Sequence, residues 1–379
     1  MFSGTVAARL LLLAVGLASA AVLAVRQRGS LRLLPPISLP FILWAVWSAL
    51  SLTWSIDRGL SSKELQNEVG YTAAALWVCF VAAQARGSQG IVLAAFGCAA
   101  VAVCGVAIFE YSRGWEHYVA GAHGSAGNFS STLLVLMPCV LAALWFARQG
   151  SGLKAWRGIP LALAALFLVA AYTTESRTIW LAFAVEAAVY LLLIASRAEA
   201  PSRKRRIAAV LFVVAGIGIA AAGMTAYVQG MREAVGAREF AEDPRLALWP
   251  EVIESIRQRP GLGYGFGRGV LRHSLRSEFK EPQLWHAHNL FLDTALQTGL
   301  PGVVLLAALL AAVLWQAWRL TRDASPTAAA CGIALAGVVA GMLVRNATDM
   351  LLVRQNALLF WAVVGVLLAW GKRGSEAGR

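Results

Sequence analysis

Two histidines and an asparagine stand directly ahead of a long apolar run in this sequence. They are His286, His288 and Asn289, in the stretch L-W-H-A-H-N-L-F-L-D-T-A-L-Q-T-G-L-P-G at residues 284–302. A neutral imidazole near pH 7 suits a general base that takes a proton from a hydroxyl group. The i, i+2 spacing puts the two rings on different faces of any helix, and no Cys or carboxylate lies at metal-ligand spacing. The pattern therefore favours His288 as a base over a metal centre, and we predict no metal or other cofactor.

Arginines are the second chemical feature, because a guanidinium binds a phosphate through two parallel hydrogen bonds. Arg177 lies between two apolar runs in T-T-E-S-R-T, where Ser176 can cap the next helix. The free N–H groups of that helix, together with Arg177, would form an anion site. Arg245 lies in D-P-R-L-A-L-W, at the head of an amphipathic pattern. A structural explanation stays open for both, as a side chain that snorkels to lipid headgroups or an ordinary loop arginine.

A third polar group surrounds the short turn between the last two apolar runs and consists of Arg345, Asn346, Asp349 and Arg354. Ionisable residues at this depth are costly unless they are paired or functional. An i, i+4 ion pair between Arg345 and Asp349 is the structural alternative. Asn128, which follows G-S-A-G at the start of another apolar run, is a further candidate for binding substrate.

The surrounding chain has the composition of a membrane protein. Hydrophobic residues make up 59% and charged residues 14%, and the mean hydropathy is +0.65. Apolar runs of about 20 residues, enough for one helical crossing, recur along the chain, and the alternation of a β-barrel is not found. The sequence predicts an all-α, polytopic membrane protein with about 11–12 transmembrane helices.

We expect one membrane domain in three parts: N-terminal transmembrane helices over 1–228, a large outer loop over 229–287, and C-terminal transmembrane helices over 288–379. Residues 1–25 are interpreted as a transmembrane helix rather than a cleaved signal, because basic residues follow the apolar part. The other predicted spans are 36–54, 71–86, 90–110, 128–147, 159–174, 178–196, 207–228, 288–317, 328–345 and 352–370.

The basic residues are distributed unevenly among the short loops. Alternate loops carry most of them, which places those loops in the cytoplasm and the 229–287 loop in the periplasm, in a bacterial inner membrane. The same distribution argues against nucleic-acid binding despite the formal net charge of +13. Within the large loop, apolar residues at helical spacing predict an amphipathic helix between Pro244 and Pro260. The glycine-rich stretch after it, 261–269, lacks the strand of a dinucleotide site, so its glycines are expected to permit tight turns or close approach to a ligand.

Several arginines and one candidate base on the outer face imply a particular reaction. A hydroxyl would attack a carbon whose leaving group is a phosphate or diphosphate, with arginines stabilising the leaving charge and His288 activating the acceptor. Nucleotide sugars are not available on that face, so a lipid-carried phosphate donor fits the compartment.

The chain resembles the O-antigen ligase and polymerase superfamily of bacterial envelope glycosyltransferases. The resemblance lies in the order of five motifs: G-N-F-S-S-T-L-L at 127–134, S-R-T-I-W-L at 176–181, R-L-A-L-W at 245–249, P-G-L-G-Y-G-F-G at 260–267 and H-A-H-N-L-F-L-D-T-A-L-Q-T-G-L-P-G at 286–302. The resemblance implies an inverting, metal-independent transfer of a glycan from undecaprenyl diphosphate to a sugar hydroxyl of lipid A–core. Membrane lipids would surround the protein as further partners.

The resemblance also implies roles for individual residues. His288 would be the base or would orient the acceptor, and Arg177 and Arg245 would contact the diphosphate. His286 would lie next to the site, and Asp349 would orient a catalytic partner. Apart from the resemblance, the positions of the polar residues give the candidates for binding substrate, which are His286, Asn289, Arg345, Asp349 and Asn128.

Two alternatives stay open. A polymerase of the same superfamily would use a lipid-linked glycan as acceptor, whereas a relative that glycosylates protein is disfavoured by the modest outer loop and the absence of an appended C-terminal domain. A polytopic transporter of lipids or solutes would explain the membrane spans, but it would not explain the amphipathic loop that ends in H-A-H-N.

Overall fold

The computed structural model describes residues 14–18, 21–22, 35–85, 87–113, 123–149, 158–174, 176–197, 244–279 and 285–377. Every regular element within these ranges is helical, which confirms the all-α prediction. The helices are α1 (Pro35–Leu50), α2 (Arg58–Leu65), α3 (Tyr71–Ala83), α4 (Ser88–Ser112), α5 (Ala126–Gln149), α6 (Gly158–Tyr172), α7 (Arg177–Arg197), α8 (Pro244–Gln258), α9 (Arg272–Phe279), α10 (Leu290–Thr321), α11 (Pro326–Asn346) and α12 (Arg354–Ala377). A π-helical turn, Gln66–Gly70, joins α2 to α3.

Seven of the described helices are long and apolar enough to cross a membrane: α1 with the turn that follows it, α4, α5, α7, α10, α11 and α12. This confirms a polytopic membrane protein. The predicted spans at 71–86 and 159–174 correspond to the shorter apolar helices α3 and α6, with 13 and 15 residues. The span at 207–228 and most of 1–25 lie outside the described residues, so the number of 11–12 crossings stays a prediction.

Helix α11 is the centre of the bundle and contacts α5, α7, α10 and α12. Its small residues allow this, since a methyl group at Gly337 would lie 2.7 Å from Pro138 of α5. Small residues allow membrane helices to pack closely. Close packing matters in a membrane because apolar lipid provides no hydrophobic driving force for helix association. Helix α4 lies at the edge and keeps most of its apolar surface exposed. The central position of α11 fixes the place of its last residues, which enter the site.

Helix α10 is broken at Gly299, whose φ of 71° is not helical, and Pro301 removes one further N–H group. The segment 260–271, called here the glycine strap, fills this break. Its amides at Tyr264 and Gly265 donate to the carbonyls of residues 296 and 297 over 2.8 and 2.9 Å. Trp47 Nε1 donates to the carbonyl of residue 298 over 2.9 Å. The carbonyls that the break leaves without a partner inside the helix thereby accept hydrogen bonds from the loop and from α1.

The strap glycines do allow close approach, and their neighbours are protein atoms. Gly263, Gly265, Gly267 and Gly269 all have positive φ, a conformation that glycine adopts at little cost. A methyl group at Gly269 would lie 2.8 Å from the ring of Trp285. The strap is therefore a tightly fitted part of the bundle.

The amphipathic helix predicted after Pro244 is confirmed as α8, and it lies over α10. Leu248 and Val252 are fully buried, in a small core that includes Ala287 and Leu296. Trp249 Nε1 donates to the carbonyl of Ala287 over 3.0 Å. Helix α8 thus holds the residue that stands between the two histidines.

Candidate active site

The two histidines precede the helix rather than lying on it. Helix α10 begins at Leu290, and His288 has a φ of 50°, which is uncommon for a residue with a side chain and is concentrated at functional sites. This turn stacks the ring of His286 on that of His288, with centroids 3.8 Å apart and planes at 30°. The prediction that the rings would point to different faces of a helix was therefore wrong, because the backbone is not helical there.

His288 forms its defining contact with Asp349, over 3.1 Å between Nδ1 and Oδ1. Their side chains are 14% and 20% exposed, so the pair is reached by solvent or substrate but partly shielded. Burial opposes ionisation of Asp349, yet the hydrogen bond from His288 and the charges of His288, Arg345 and His286 hold its pKa well below the usual range. A carboxylate at this place favours the tautomer with the proton on Nδ1, in which Nε2 is the basic nitrogen, as in a catalytic dyad.

The structure corrects the alternative in which Arg345 and Asp349 form an i, i+4 ion pair along one helix. Helix α11 ends at Asn346, so Asp349 lies in the turn before α12 and is bonded to His288 instead. Arg345 still attracts Asp349 electrostatically. A second feature fixes the turn, since Glu68 accepts the backbone N–H of Arg354 with both oxygens, at 2.8 Å each.

His286 is buried beneath His288. Its Nδ1 accepts a hydrogen bond from the backbone N–H of His288 over 3.0 Å and lies 3.3 Å from Asp293 Oδ2. Burial, with help from the positive charges of His288 and Arg268, lowers the pKa of His286 against the opposing effect of Asp293. Burial therefore favours the neutral form of His286, whose ring lies directly beneath that of His288.

The side chains of His286, His288 and Asp349 offer ligand atoms within 4.8 Å of one another, close enough to hold a metal ion. Local spacing could not place this carboxylate beside the histidines, because 61 positions separate Asp349 from His288. Hydrogen bonds already engage the Nδ1 atoms of both histidines. The absence of a metal stays a prediction.

Asn289 caps α10. Its Oδ1 accepts from the amides of Phe291 and Leu292, at 2.9 and 3.1 Å, and its Nδ2 donates to the carbonyl of Ala347 over 2.9 Å. An N-cap satisfies amides that have no partner inside the helix. Asn289 thus joins the start of α10 to the turn that carries Asp349. Its contact with substrate stays a prediction.

Arg345 is 7% exposed and lies at the end of α11. Its guanidinium donates to Thr178 Oγ1 over 2.7 Å, at the start of α7, and lies beside Gly127, at the start of α5. Its Nε is buried and has no hydrogen-bond partner within the described part of the chain. A buried cation with unused hydrogen-bonding capacity suits an anionic ligand.

Arg245 and Arg177 approach the same end of the bundle from two other helices. Arg245 is the second residue of α8, is partly exposed, and acts electrostatically on Arg345. Arg177 is the first residue of α7, next to Thr178, and its side chain lies outside the described part of the structure. The fold thus brings Arg245, Arg345 and the first turn of α7 together.

Four helix N-termini meet around the turn between α11 and α12. Besides the contacts of Thr178 and Asn289, Asn356 of α12 donates to Asn128 Oδ1 over 3.1 Å. Asn128 itself lies in the first turn of α5 and donates to the carbonyl of His123. The N-termini of α5, α7, α10 and α12 carry partial positive charge, so this end of the bundle favours an anion.

Sequence reasoning did not single out Thr178, Asp293 or Arg268. Asp293 had a detectable signal, as an acidic residue in the first turn of an otherwise apolar helix. Thr178 had none, because its role depends on Arg345, 167 positions away.

Two comparisons with known proteins bear on this arrangement. Residues 162–307 match the family described as O-antigen ligase, a segment that ends in α10. The chain is also 26% identical, over 204 residues, to a protein of Acinetobacter baylyi described as a general O-oligosaccharyltransferase. That match covers 50% of this chain and 34% of the relative, so the matched part spans about a third of the relative's length.

Proposed function

We propose, from the confirmed likeness of this chain to the O-antigen ligase superfamily, that it is a membrane glycosyltransferase of the ligase type. It would move a glycan from undecaprenyl diphosphate to a sugar hydroxyl of lipid A–core, on the periplasmic face of the inner membrane. The observation that carries the proposal is the His288–Asp349 pair beside the buried cation of Arg345.

His288 acts as the general base. Asp349 holds the Nδ1 proton, so Nε2 removes the proton of the acceptor hydroxyl as its oxygen attacks the anomeric carbon of the donor. The bond from that carbon to the diphosphate oxygen breaks on the opposite face, which inverts the configuration. The imidazolium formed at His288 is stabilised by the Asp349 carboxylate, and later loses its proton to solvent.

The arginines stabilise the negative charge of the diphosphate leaving group. Arg345, Arg245 and Arg177 supply permanent positive charge where the diphosphate develops its negative charge, and helix N-termini add fixed dipoles. Such preorganised charge stabilises a transition state without a reorganisation cost. This set of cations can do the work that a divalent metal does in other phosphate-dependent enzymes, so we propose a metal-independent reaction.

The place of the site relative to the bundle supports a lipid-linked donor. The histidines and the turn after α11 lie at helix ends, where a headgroup diphosphate meets a membrane boundary, while the prenyl chain stays among lipid tails. The site lies on the loop side of α10, and the distribution of basic residues among the short loops supports a periplasmic location for that side.

A deletion strain tests the proposal through a gel of its envelope glycans. Loss of polymer from lipid A–core, with lipid-linked polymer retained, supports a ligase. Restoration by the wild-type gene but not by His288→Ala would tie the loss to the site, because removal of a general base costs roughly 10²–10⁴-fold in rate.

Other outcomes would overturn the assignment. Single-repeat products in the deletion strain would indicate a polymerase, and loss of glycan from protein alone would indicate an oligosaccharyltransferase, the activity named for the Acinetobacter relative. Unchanged glycans on both carriers, with altered movement of lipid across the membrane, would indicate a transporter.

The diphosphate contacts are tested with two arginines of the same helix. Arg245→Ala should reduce transfer about tenfold or more, whereas Arg257→Ala should not, because Arg257 is 75% exposed and pairs with Glu254 on the surface of α8. Equal activity of the two variants would exclude Arg245 from the donor site.

A further inference from the structure

Arg268 is a charged residue of the glycine strap that the proposed reaction does not use. It is partly buried, and its guanidinium donates to the carbonyl of Met350 over 2.9 Å. Met350 directly follows Asp349, and its own N–H donates to Asp349 Oδ1 over 2.8 Å. Arg268 is therefore bonded to the residue next to the dyad carboxylate.

A second route leads from Arg268 to the other histidine. The guanidinium lies over the ring of Trp285, 4.8 Å from its centroid, and the edge of Trp285 meets His286 with centroids 4.5 Å apart. The neighbouring glycine makes this possible, since any side chain at Gly269 would collide with Trp285. Arg268 therefore contacts the two segments that carry the His–Asp pairs, through Met350 and through Trp285.

The charge of Arg268 acts on both pairs. It attracts Asp293 and Asp349, as well as Glu68, and it disfavours a positive charge on His286. The groups that face His286 are Asp293 from α10, His288 from its own segment, Arg268 from the strap and, more distantly, Asp349 from the turn after α11. Among these described groups, Asp293 and Asp349 favour a cation at His286, and burial opposes one.

We propose that Arg268 is a positioning residue that keeps the two stacked histidines in unequal roles. Its fixed charge keeps positive charge off His286, and its hydrogen bond to the Met350 carbonyl fixes the turn that presents Asp349 to His288. The proposal rests on the proposed function, since it assigns the proton of the acceptor hydroxyl to His288 alone.

Arg268 differs from the diphosphate arginines in its surroundings. Its hydrogen bond runs to the protein backbone and its face is covered by Trp285, whereas Arg345 retains a buried Nε without a partner in the described residues. Loss of Arg268 should therefore change the protonation of His286 rather than the affinity for the donor.

Histidine titrations by NMR, on the full-length protein in detergent micelles, test the charge directly. Arg268→Gln should raise the pKa of His286 by about half a unit or more, because a nearby like charge is removed. Arg268→Lys keeps the charge and should leave the titration near that of the wild type. His286→Asn identifies the resonance.

The pH profile of transfer from an undecaprenyl diphosphate-linked glycan gives the second readout. In Arg268→Gln the acid limb of kcat should move to higher pH, because His286 gains a proton earlier on acidification and its Nδ1 then no longer accepts the His288 N–H, while KM for the donor changes less than twofold. Arg272→Gln is the matched control. Arg272 also stacks on Trp285, at 4.5 Å from the ring centroid, whereas the charges that act on His286 within the described residues come chiefly from Asp293, His288 and Arg268.

The outcomes separate cleanly. A lower kcat at every pH with an unmoved acid limb and an unchanged His286 titration would show a structural role only and overturn the proposal. Equal shifts in Arg272→Gln would assign the effect to Trp285 packing and also overturn it. If Arg268→Gln does not fold, Arg268→Met replaces it, and Arg268→Lys must still titrate like the wild type. If the wild type transfers no glycan, the proposed function fails, while the NMR titration still tests Arg268.

Discussion

Two His–Asp pairs lie side by side in this protein, built from the same residue types but placed in different surroundings. In the pair of His286 with Asp293, both side chains are nearly inaccessible, at 4% and 3% exposure. In the pair of His288 with Asp349 they are 14% and 20% exposed. The histidine nitrogen that faces each aspartate also differs in use, since Nδ1 of His286 accepts a backbone N–H. Access and hydrogen bonding, rather than residue type, separate a supporting pair from a reacting one.

Removing the charge of each aspartate should give the largest difference in activity between the two His–Asp pairs. Asp349→Asn should lower kcat by about 10²–10⁴-fold, because the asparagine can stabilise the wrong tautomer of His288 and cannot stabilise its cation. Asp293→Asn should lower kcat by less than about tenfold, because Asp293 contacts the buried histidine. Transfer assays at saturating donor measure both, and equal losses would show that the pairs act as one unit.

The next effect concerns stability rather than rate. His286→Ala removes the acceptor of the His288 N–H and leaves space beneath the ring, at a cost of about 2–4 kcal/mol in the free energy of unfolding. His288→Ala should cost about 1 kcal/mol, since that side chain is partly exposed. Thermal unfolding in detergent compares the two, and a larger loss for His288→Ala would contradict the assigned roles.

The smallest expected effect is a pH dependence. The pKa of Asp349 is lowered in the folded protein, so its stabilisation is fully present above the unfolded value of about 3.9 and is lost as pH falls towards the folded value. Between pH 5 and 3 the unfolding free energy of the wild type should therefore fall more steeply than that of Asp349→Asn, by roughly 1 kcal/mol. Parallel curves would show that Asp349 is not held ionised by its neighbours.

Local patterns in the sequence predicted the elements well, and contacts between distant segments limited the prediction of the site. Helical periodicity located α8 and the apolar helices because it depends on neighbours three and four residues apart. His288, Arg245 and Arg345 were chosen for their chemistry, and the fold brings them to one end of the bundle. The resemblance assigns Asp349 to orient a catalytic partner, but its direct pairing with His288 does not follow from local patterns, because it depends on how α11 ends and on a turn 61 positions away. The stacking of the two rings depends on a single positive φ at His288.

The break in α10 has a consequence for how this protein is assembled during biogenesis. Carbonyls at residues 296–298 obtain their hydrogen-bond donors from the strap and from Trp47, and the N–H of Leu300 finds its acceptor in Pro260. An unsatisfied backbone group in contact with lipid costs several kcal/mol. With the strap undocked, these backbone groups would lose their partners inside the bundle. Docking of the loop and final placement of α10 are therefore expected to be coupled steps.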